Sequence, residues 1–304
     1  MERKINIKCL NNDKSLTLSR GKTLFEIAEK FDVKLNHPVL GALVNNQLRD
    51  MSYEAFHSKT IKFIDITHPD GMRMYIRSLS FLLLAAVNEL YPEAKLRIEH
   101  SVSKGIYCEI DNLDKEASVE LAAEISEKMR ELVSQKIPIE QDSLETSEVV
   151  DIFKSVGFNA KADLIRHRGN YYSSFYRLNE HVGLFYGLMV PNTSYLEVFD
   201  FNKYYNGFLL RLPKVSNPTE VEDLLLQPQL FEIFREFSEW GRVLRVTKIS
   251  ELNKLIESNN RTPDTLIKVT EALQEKKIAQ IADRIASKKE DIQMVLISGP
   301  SSSG

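Results

Sequence analysis

Short hydrophobic stretches alternate with turn-forming residues in the first part of the chain, and one amphipathic segment interrupts them. In residues 23–31, the apolar side chains of Leu24, Ile27, Ala28 and Phe31 recur at the three- and four-residue spacing of one helical face. This spacing predicts a helix. Strand-like patterns lie on both sides of it, at residues 5–9, 15–18, 41–44, 47–48 and 60–66.

The Asn45-Asn46 pair separates two of these strands, and asparagine tolerates the positive φ of a tight hairpin turn. The predicted order of elements is therefore β-β-α-β-β-β. Because this order is typical of a β-grasp domain, we expect residues 1–68 to form one.

A long helix is predicted after the turn signal His-Pro-Asp-Gly at residues 68–71. Its apolar residues recur at helical spacing: Met72, Ile76, Leu79, Leu83, Val87 and Leu90. The elements predicted after it are a hairpin (96–100 and 106–110), helices at 118–133 and 147–156, and an aromatic-rich β region at 171–212. We expect Gly157 to stop the second of those helices. A helical stretch from Asn217-Pro218 through Trp240 completes an α+β domain over residues 69–245.

The last part of the chain reads as a helical connector over residues 246–290, followed by the start of another domain at 291–304. Thr262 is the expected cap of a helix with Pro263 at its first position. An apolar face is marked by Ile267, Ile278, Ile281 and Ile285. Residues 293–297 are predicted to form an apolar strand. The predicted fold class is thus multidomain α+β.

Composition narrows the functional classes without selecting one. The 40 basic and 43 acidic residues give a net charge of −3, so nucleic-acid binding has to be argued from local features. The longest apolar run, residues 81–87, is too short to span a bilayer, which predicts a cytoplasmic protein with no membrane partner. Cys9 and Cys108 stand in strand-like contexts and are expected to be small buried thiols.

The segment IRSLSFLLLAAVNELYPEAKLRIEHSVSKGIYCEID resembles the second N-terminal domain of threonyl-tRNA synthetases. The preceding β-grasp domain resembles the TGS domain, which precedes it in those enzymes. The resemblance extends to TSEVVDIFKSVGFNAKADLI and FYGLMVPNTSYLEVFDF, and so covers roughly residues 1–212.

In the synthetases this second domain removes wrongly attached amino acids, using a His-x-x-x-His pair and a Cys-x-x-x-His pair. The resemblance places the first pair at Arg77 and Phe81 and the second at Phe185 and Met189. None of these side chains holds a metal or moves a proton in that role. Since neither motif occurs anywhere in the chain, we expect a degenerate editing site without catalytic residues or metal.

The histidines, at positions 37, 57, 68, 100, 167 and 181, are assigned no catalytic role. By the resemblance, His100 and His181 border the former editing pocket. A second candidate is the segment RHRGNYYSSFYR, residues 166–177, which mixes arginines with aromatic residues. Two interpretations stay open: the rings pack inward from a strand, or they stack on the bases of an RNA.

The final residues Gly299, Pro300, Ser301, Ser302, Ser303 and Gly304 follow the predicted strand with the glycine spacing of a P-loop. A serine- and glycine-rich tag or linker is the alternative interpretation. The string GPSSSG resembles the phosphate loop of uridine kinases, and the domain order resembles TGS-bearing uridine kinase-like proteins.

That resemblance implies ATP and Mg²⁺ as cofactors and uridine as the substrate, phosphorylated on its 5′-hydroxyl. We expect this chain to be the inactive accessory portion of such a kinase, truncated within the loop. The alternative is a non-catalytic protein that binds tRNA or a small ligand and derives from a synthetase editing domain. An active editing hydrolase is the third hypothesis, and the four substituted positions argue against it.

Overall fold

A computed structural model of the chain describes residues 3–257, 263–291, 293–297 and 299. The chain divides into two compact units, Met1–Phe234 and Arg235–Gly304. The first unit is a mixed α+β structure with several sheets, and the described elements of the second unit are helices. The predicted α+β class is confirmed at this level.

The first unit begins with a five-stranded sheet and one short helix. Its elements are β1 (Lys4–Cys9), β2 (Lys14–Ser19), β3 (Lys22–Thr23), α1 (Leu24–Lys30), β4 (Gly41–Val44), β5 (Gln47–Arg49), β6 (Glu54–Ala55) and β7 (Lys59–Ile64). The sheet order is β2-β1-β7-β4-β5, and β1 pairs with β7 in parallel while the other neighbours are antiparallel. The remaining strands, β3 and β6, form a small separate pair.

Helix α1 forms where the apolar spacing predicts it. Thr23 caps it, since its Oγ1 accepts from the Glu26 N–H while the Glu26 carboxylate accepts from the Thr23 N–H. Leu24 and Ile27 are buried on the sheet side with Cys9, which is a free thiol like the buried Cys108. Both cysteines are therefore buried as expected.

The turn between β7 and the next helix, α2 (Pro69–Leu90), is shorter than predicted. Helix α2 starts at Pro69 instead of after Gly71, because His68 Nδ1 caps it by accepting from the Asp70 N–H and proline fits the first helical position. Gly71 lies inside the first turn. A Cβ there would lie 1.9 Å from the Asp65 carbonyl oxygen, so this close approach requires glycine.

The rest of the first unit packs around α2, in which residues 78–87 are buried on every face. Its elements are β8 (Lys95–Val102), β9 (Gly105–Asp111), α3 (Val119–Ser134), β10 (Glu140–Glu145), α4 (Thr146–Ser155), α5 (Asn159–His167), β11 (Tyr172–Leu178), β12 (His181–Gly183), β13 (Asp200–Tyr204) and β14 (Gly207–Arg211). They form a four-stranded sheet in the order β13-β14-β9-β8 and a three-stranded sheet in the order β10-β11-β12.

The helices that follow are α6 (Pro228–Leu244), α7 (Ile249–Glu257) and α8 (Pro263–Ser287). The helix predicted to open at Asn217-Pro218 starts instead at Pro228. The reason is that Leu212 and Lys214 bond through their backbones to Glu222 and Glu220, which holds the intervening residues in a loop. The predicted cap Thr262 lies outside the described residues.

The strand predicted at residues 293–297 does not form, and that expectation is wrong. Among the described residues no strand pairs with this segment, and a strand needs a neighbour for its backbone hydrogen bonds. Leu296 and Ile297 are 87% and 94% exposed. In the described part of the chain, no helix is long and apolar enough to cross a membrane.

Candidate ligand site

The four positions predicted for the degenerate editing site come together in the structure. Arg77 and Phe81 lie one turn apart on α2, and Phe185 and Met189 lie in the irregular segment after β12. Arg77 Nε donates to the Leu188 carbonyl oxygen at 3.2 Å, and the Phe81 and Phe185 ring centroids are 5.4 Å apart. Phe81 and Met189 are buried in one apolar cluster, with Phe185 packed against it. We call these four residues the filled site.

Hydrogen bonds pin the segment that carries Phe185 and Met189 onto α2. Ser78 Oγ accepts from the Val190 N–H at 2.9 Å and donates to the Met74 carbonyl at 2.8 Å. Tyr176 Oη donates to the Gly187 carbonyl at 3.0 Å. Gly187 has φ of +107°, and a Cβ there would lie 2.8 Å from the Arg77 guanidinium carbon. Only glycine fits here without strain, so the Arg77 guanidinium can lie close to the Gly187 backbone.

The protonation states of Arg77 and of the neighbouring Tyr176 favour hydrogen-bond donation over proton transfer. Burial lowers the pKa of Arg77 from its ordinary value, yet arginine remains a cation at neutral pH. Burial also raises the pKa of Tyr176 to about 12, so its hydroxyl stays neutral and donates. Within the described residues, no group of three or more histidine, cysteine, aspartate or glutamate side chains is placed to hold a metal ion.

A cavity of about 490 Å³ opens beside the filled site. Its wall combines residues next to β5 in the first sheet, residues at the start of β10 and residues of the segment after β12. Three of its side chains are carboxylates. The lining residues are Phe25, Asp50, Met51, Ser52, Pro138, Ile139, Glu140, Gln141, Asp142, Tyr176, Met189, Val190 and Pro191. Arg177 pairs with Asp142, which leaves Asp50 and Glu140 as the acidic groups without an ion pair in the described structure.

Sequence reasoning missed this cavity. Its wall is built mainly from three segments far apart in the chain, around residues 50, 140 and 190, to which Phe25 and Tyr176 are added. No local pattern signals their meeting, because a local pattern describes sequence neighbours and these segments are tens of residues apart.

The two histidines expected to border the pocket have other partners. His181 Nε2 lies 3.3 Å from Glu89 Oε1, and residues 77 and 89 are about 18 Å apart along the α2 axis. Lys128 Nζ also contacts the Glu89 carboxylate, at 2.8 Å. His100 stacks on Phe234 with ring centroids 3.8 Å apart, and its buried Nε2 has no hydrogen-bond partner among the described residues.

In the arginine- and aromatic-rich segment, residues 166–177, some rings are buried and others are exposed. Phe175 and Tyr176 point inward from β11 and are buried, as the packing interpretation predicts. By contrast, Tyr171 and Tyr172 are 71% and 61% exposed. Their rings meet edge to face at 5.0 Å.

A third tyrosine ring near this segment is also exposed. Tyr186 is 58% exposed, and the Arg168 guanidinium lies 5.0 Å from its ring centroid. We call the exposed residues of this face the tyrosine surface: Arg166, Arg168, Tyr171, Tyr172 and Tyr186. Tyr186 stands between Phe185 of the filled site and Gly187, so the tyrosine surface adjoins the filled site through the chain itself.

The proposed phosphate loop gains no structural support. Gly299 is exposed, and Pro300, Ser301, Ser302, Ser303 and Gly304 lie outside the described residues. The role of these residues in holding ATP phosphates and Mg²⁺ stays a prediction.

Comparison with known proteins shows that part of the chain is similar to proteins with one shared name. The relatives are threonine–tRNA ligases. The protein from Fusobacterium nucleatum is 31% identical over 179 residues, which cover 58% of this chain and 28% of the relative. The proteins from Citrifermentans bemidjiense and Francisella tularensis are 28% and 26% identical over 182 and 188 residues, covering 60% and 62% of this chain.

The match covers 28–30% of the length of these relatives. No family model matches the chain. The resemblance to threonyl-tRNA synthetases is therefore confirmed for part of the chain.

The prediction of a uridine kinase is wrong. The relatives are tRNA ligases and not kinases, and the strand that should lead into the phosphate loop does not form. The predicted kinase activity and its partners, uridine and ATP, depend on a short glycine- and serine-rich string and on the order of the domains before it. A string of that composition carries too little information to identify a phosphate site without its strand and helix.

Proposed function

We propose that this protein is a non-catalytic tRNA-binding relative of the N-terminal part of threonyl-tRNA synthetases. The observation that carries the proposal is the similarity to threonine–tRNA ligases over about 60% of the chain. In this proposal the first sheet with α1 is the TGS-like β-grasp domain, and the structure packed around α2 is the editing-like domain that receives the acceptor end of a tRNA.

The filled site supports the non-catalytic part of the proposal. Phe81, Phe185 and Met189 offer no base or nucleophile, and Arg77 is held by the Leu188 carbonyl. Hydrolysis of an aminoacyl ester needs a group that activates water, and these four side chains cannot supply one. The site instead packs the segment after β12 onto α2.

The experiment is a titration of the full chain with labelled tRNA at low and moderate salt. We expect binding at low salt that weakens steeply as salt rises, because each phosphate contact releases a counterion. We also expect no deacylation of an aminoacylated tRNA. Absence of binding at low salt, or hydrolysis above the uncatalysed rate, would overturn the proposal.

The cavity beside the filled site favours a second candidate function, the binding of a small ligand with a cationic group. Asp50 and Glu140 lie in its wall, and carboxylates bind an ammonium group by charge and hydrogen bonds. The probe is free threonine, the amino acid named in the relatives. Isothermal titration with the chain and with an Asp50→Asn/Glu140→Gln variant tests it: heat from the chain that the variant loses supports the site, and no heat from the chain eliminates it.

A further inference from the structure

The tyrosine surface exposes three large aromatic rings to solvent. Tyrosines in a folded protein usually bury most of the ring, and water-exposed rings in a group often mark a binding site. Tyr171, Tyr172 and Tyr186 are each more than half exposed. The hydroxyl of Tyr171 contacts Glu145 at 3.4 Å, but its ring remains open to solvent.

The rings and the nearby cations form two pairs that are close in the chain, Tyr171 with Tyr172 and Arg168 with Tyr186. Arg168 lies over Tyr186, and Tyr171 with Tyr172 begins three residues later, which limits the separation along the chain to about 11 Å. Arg166 is on the same exposed end of α5 and is 3.5 Å from Asp163, so its charge is partly neutralised. Arg168 has no carboxylate partner within the described residues, and its charge is available to a ligand.

These features fit an unpaired RNA strand better than a duplex. A free base offers both of its faces to an aromatic ring, whereas the bases of a duplex are already stacked on each other. A guanidinium beside the rings can bind the phosphate between two stacked bases or stack on a base itself. A purely electrostatic contact with duplex phosphates would need cations but not rings.

We propose that the tyrosine surface stacks unpaired bases of RNA, with Arg168 as its phosphate contact. This inference rests on the proposed tRNA-binding function, and the unpaired 3′-terminal nucleotides of the acceptor end are the segment it would hold. Since Tyr186 lies between Phe185 and Gly187, a strand stacked on it is held beside the filled site.

The test measures fluorescence anisotropy of tRNA with the full chain, at the salt concentration where binding is well resolved. Tyr171→Ala/Tyr172→Ala is expected to weaken binding at least tenfold, whereas Tyr171→Phe/Tyr172→Phe keeps it within about twofold, because phenylalanine retains the stacking face. Arg168→Ala is expected to weaken binding and reduce its salt dependence.

Two matched controls separate the surface from general effects. Phe237→Ala removes a ring that is 61% exposed, the same fraction as Tyr172, and is expected to leave affinity unchanged. Lys34→Ala removes an exposed cation whose side chain is 80% exposed, and the same result is expected. A tRNA lacking its unpaired 3′ nucleotides should bind the chain about tenfold more weakly and should not respond to the tyrosine-to-alanine change.

The outcomes distinguish this inference from the proposed function. If the chain binds tRNA but the alanine and phenylalanine variants have equal affinities, the stacking surface is wrong and tRNA binding stands. Equal binding of a short RNA duplex and the same unpaired strand would also overturn it. If the chain binds an unpaired oligonucleotide through the tyrosines but does not bind tRNA, the surface stands and the proposed function falls.

Discussion

The filled site and the tyrosine surface are built from the same kinds of side chain and differ in burial. Each contains an arginine beside aromatic rings. Arg77 is half-buried and bound to the Leu188 carbonyl, with Phe81 and Phe185 in contact one turn away. Arg168 is exposed and lies over the exposed ring of Tyr186.

This difference shows why residue type does not determine role. In the filled site, burial makes the rings part of the hydrophobic core and commits the arginine to a backbone carbonyl. On the tyrosine surface, the same chemistry is left available to a ligand. The two regions should therefore respond differently to mutation: changes in the filled site should affect stability, and changes on the tyrosine surface should affect the proposed binding.

The largest effect is expected from Phe81→Ala. Phe81 is fully buried in α2, and its removal leaves a cavity against Phe185 and Gly183. We expect the free energy of unfolding to fall by about 3–5 kcal/mol. Urea unfolding followed by circular dichroism measures it. Phe237→Ala is the control and should change stability by no more than about 0.5 kcal/mol; equal effects would mean that the filled site is not part of the core.

A smaller effect is expected from Gly187→Ala. The new Cβ meets the Arg77 guanidinium at 2.8 Å and imposes a positive φ on alanine. We expect a loss of about 1–3 kcal/mol in the free energy of unfolding. Gly169→Ala separates the two causes, because Gly169 also has a positive φ but no atom within 4 Å of its added Cβ. If both variants lose the same stability, the contact with Arg77 contributes nothing.

Tyr176→Phe removes the hydrogen bond to the Gly187 carbonyl and should cost about 1 kcal/mol at pH 8. Burial raises the pKa of Tyr176 to about 12, and a tyrosine in an unfolded chain titrates near 10. The raised pKa means that this group favours folding below pH 10 and that its contribution is lost as the pH rises from about 10 to 12.

From pH 9 to pH 11, the free energy of unfolding should therefore fall less for the Tyr176→Phe variant than for the parent chain. Urea unfolding of both proteins at each pH measures the two decreases. An identical pH dependence for the two proteins would show that Tyr176 is not buried in solution.

The smallest effect on stability is expected from Tyr172→Ala. Because the ring is mostly exposed, the free energy of unfolding should change by no more than about 0.5 kcal/mol, while affinity for unpaired RNA falls. Thermal unfolding of the variant beside the parent chain checks this. A loss above about 2 kcal/mol would assign Tyr172 to the core and remove the contrast between the two regions.

Local patterns predicted the elements whose determinants are close in sequence. Helix α1 carries both its apolar face and its capping box within a few residues, and α4 ends before Gly157, whose φ is +79°. Helix α5 was missed because residues 159–167 bury only Ala162 and Ile165, which is too few apolar positions to show a period.

Other features depended on contacts that a local pattern cannot show. The convergence of Arg77, Phe81, Phe185 and Met189 was predicted by resemblance to a known domain and not by spacing, since the two pairs are more than one hundred residues apart. The sequence also does not predict which rings of residues 166–177 are buried and which are exposed, because burial depends on contacts with distant segments. Tyr172 is the first residue of β11 and Tyr171 precedes it, and neither belongs to the apolar cluster in which residues of α4 and α5 pack with Phe175.

The short turn from β7 into α2 limits how this protein can move. Only residues 65–68 separate the strand from the helix, and at Gly71 the helix backbone presses against the Asp65 carbonyl. We expect this short connection and close contact to limit the movement of α2 relative to β7. A long ligand that contacts both the first sheet and the structure around α2 would meet two surfaces whose relative angle this turn determines. The ligand would have to bend to fit that angle.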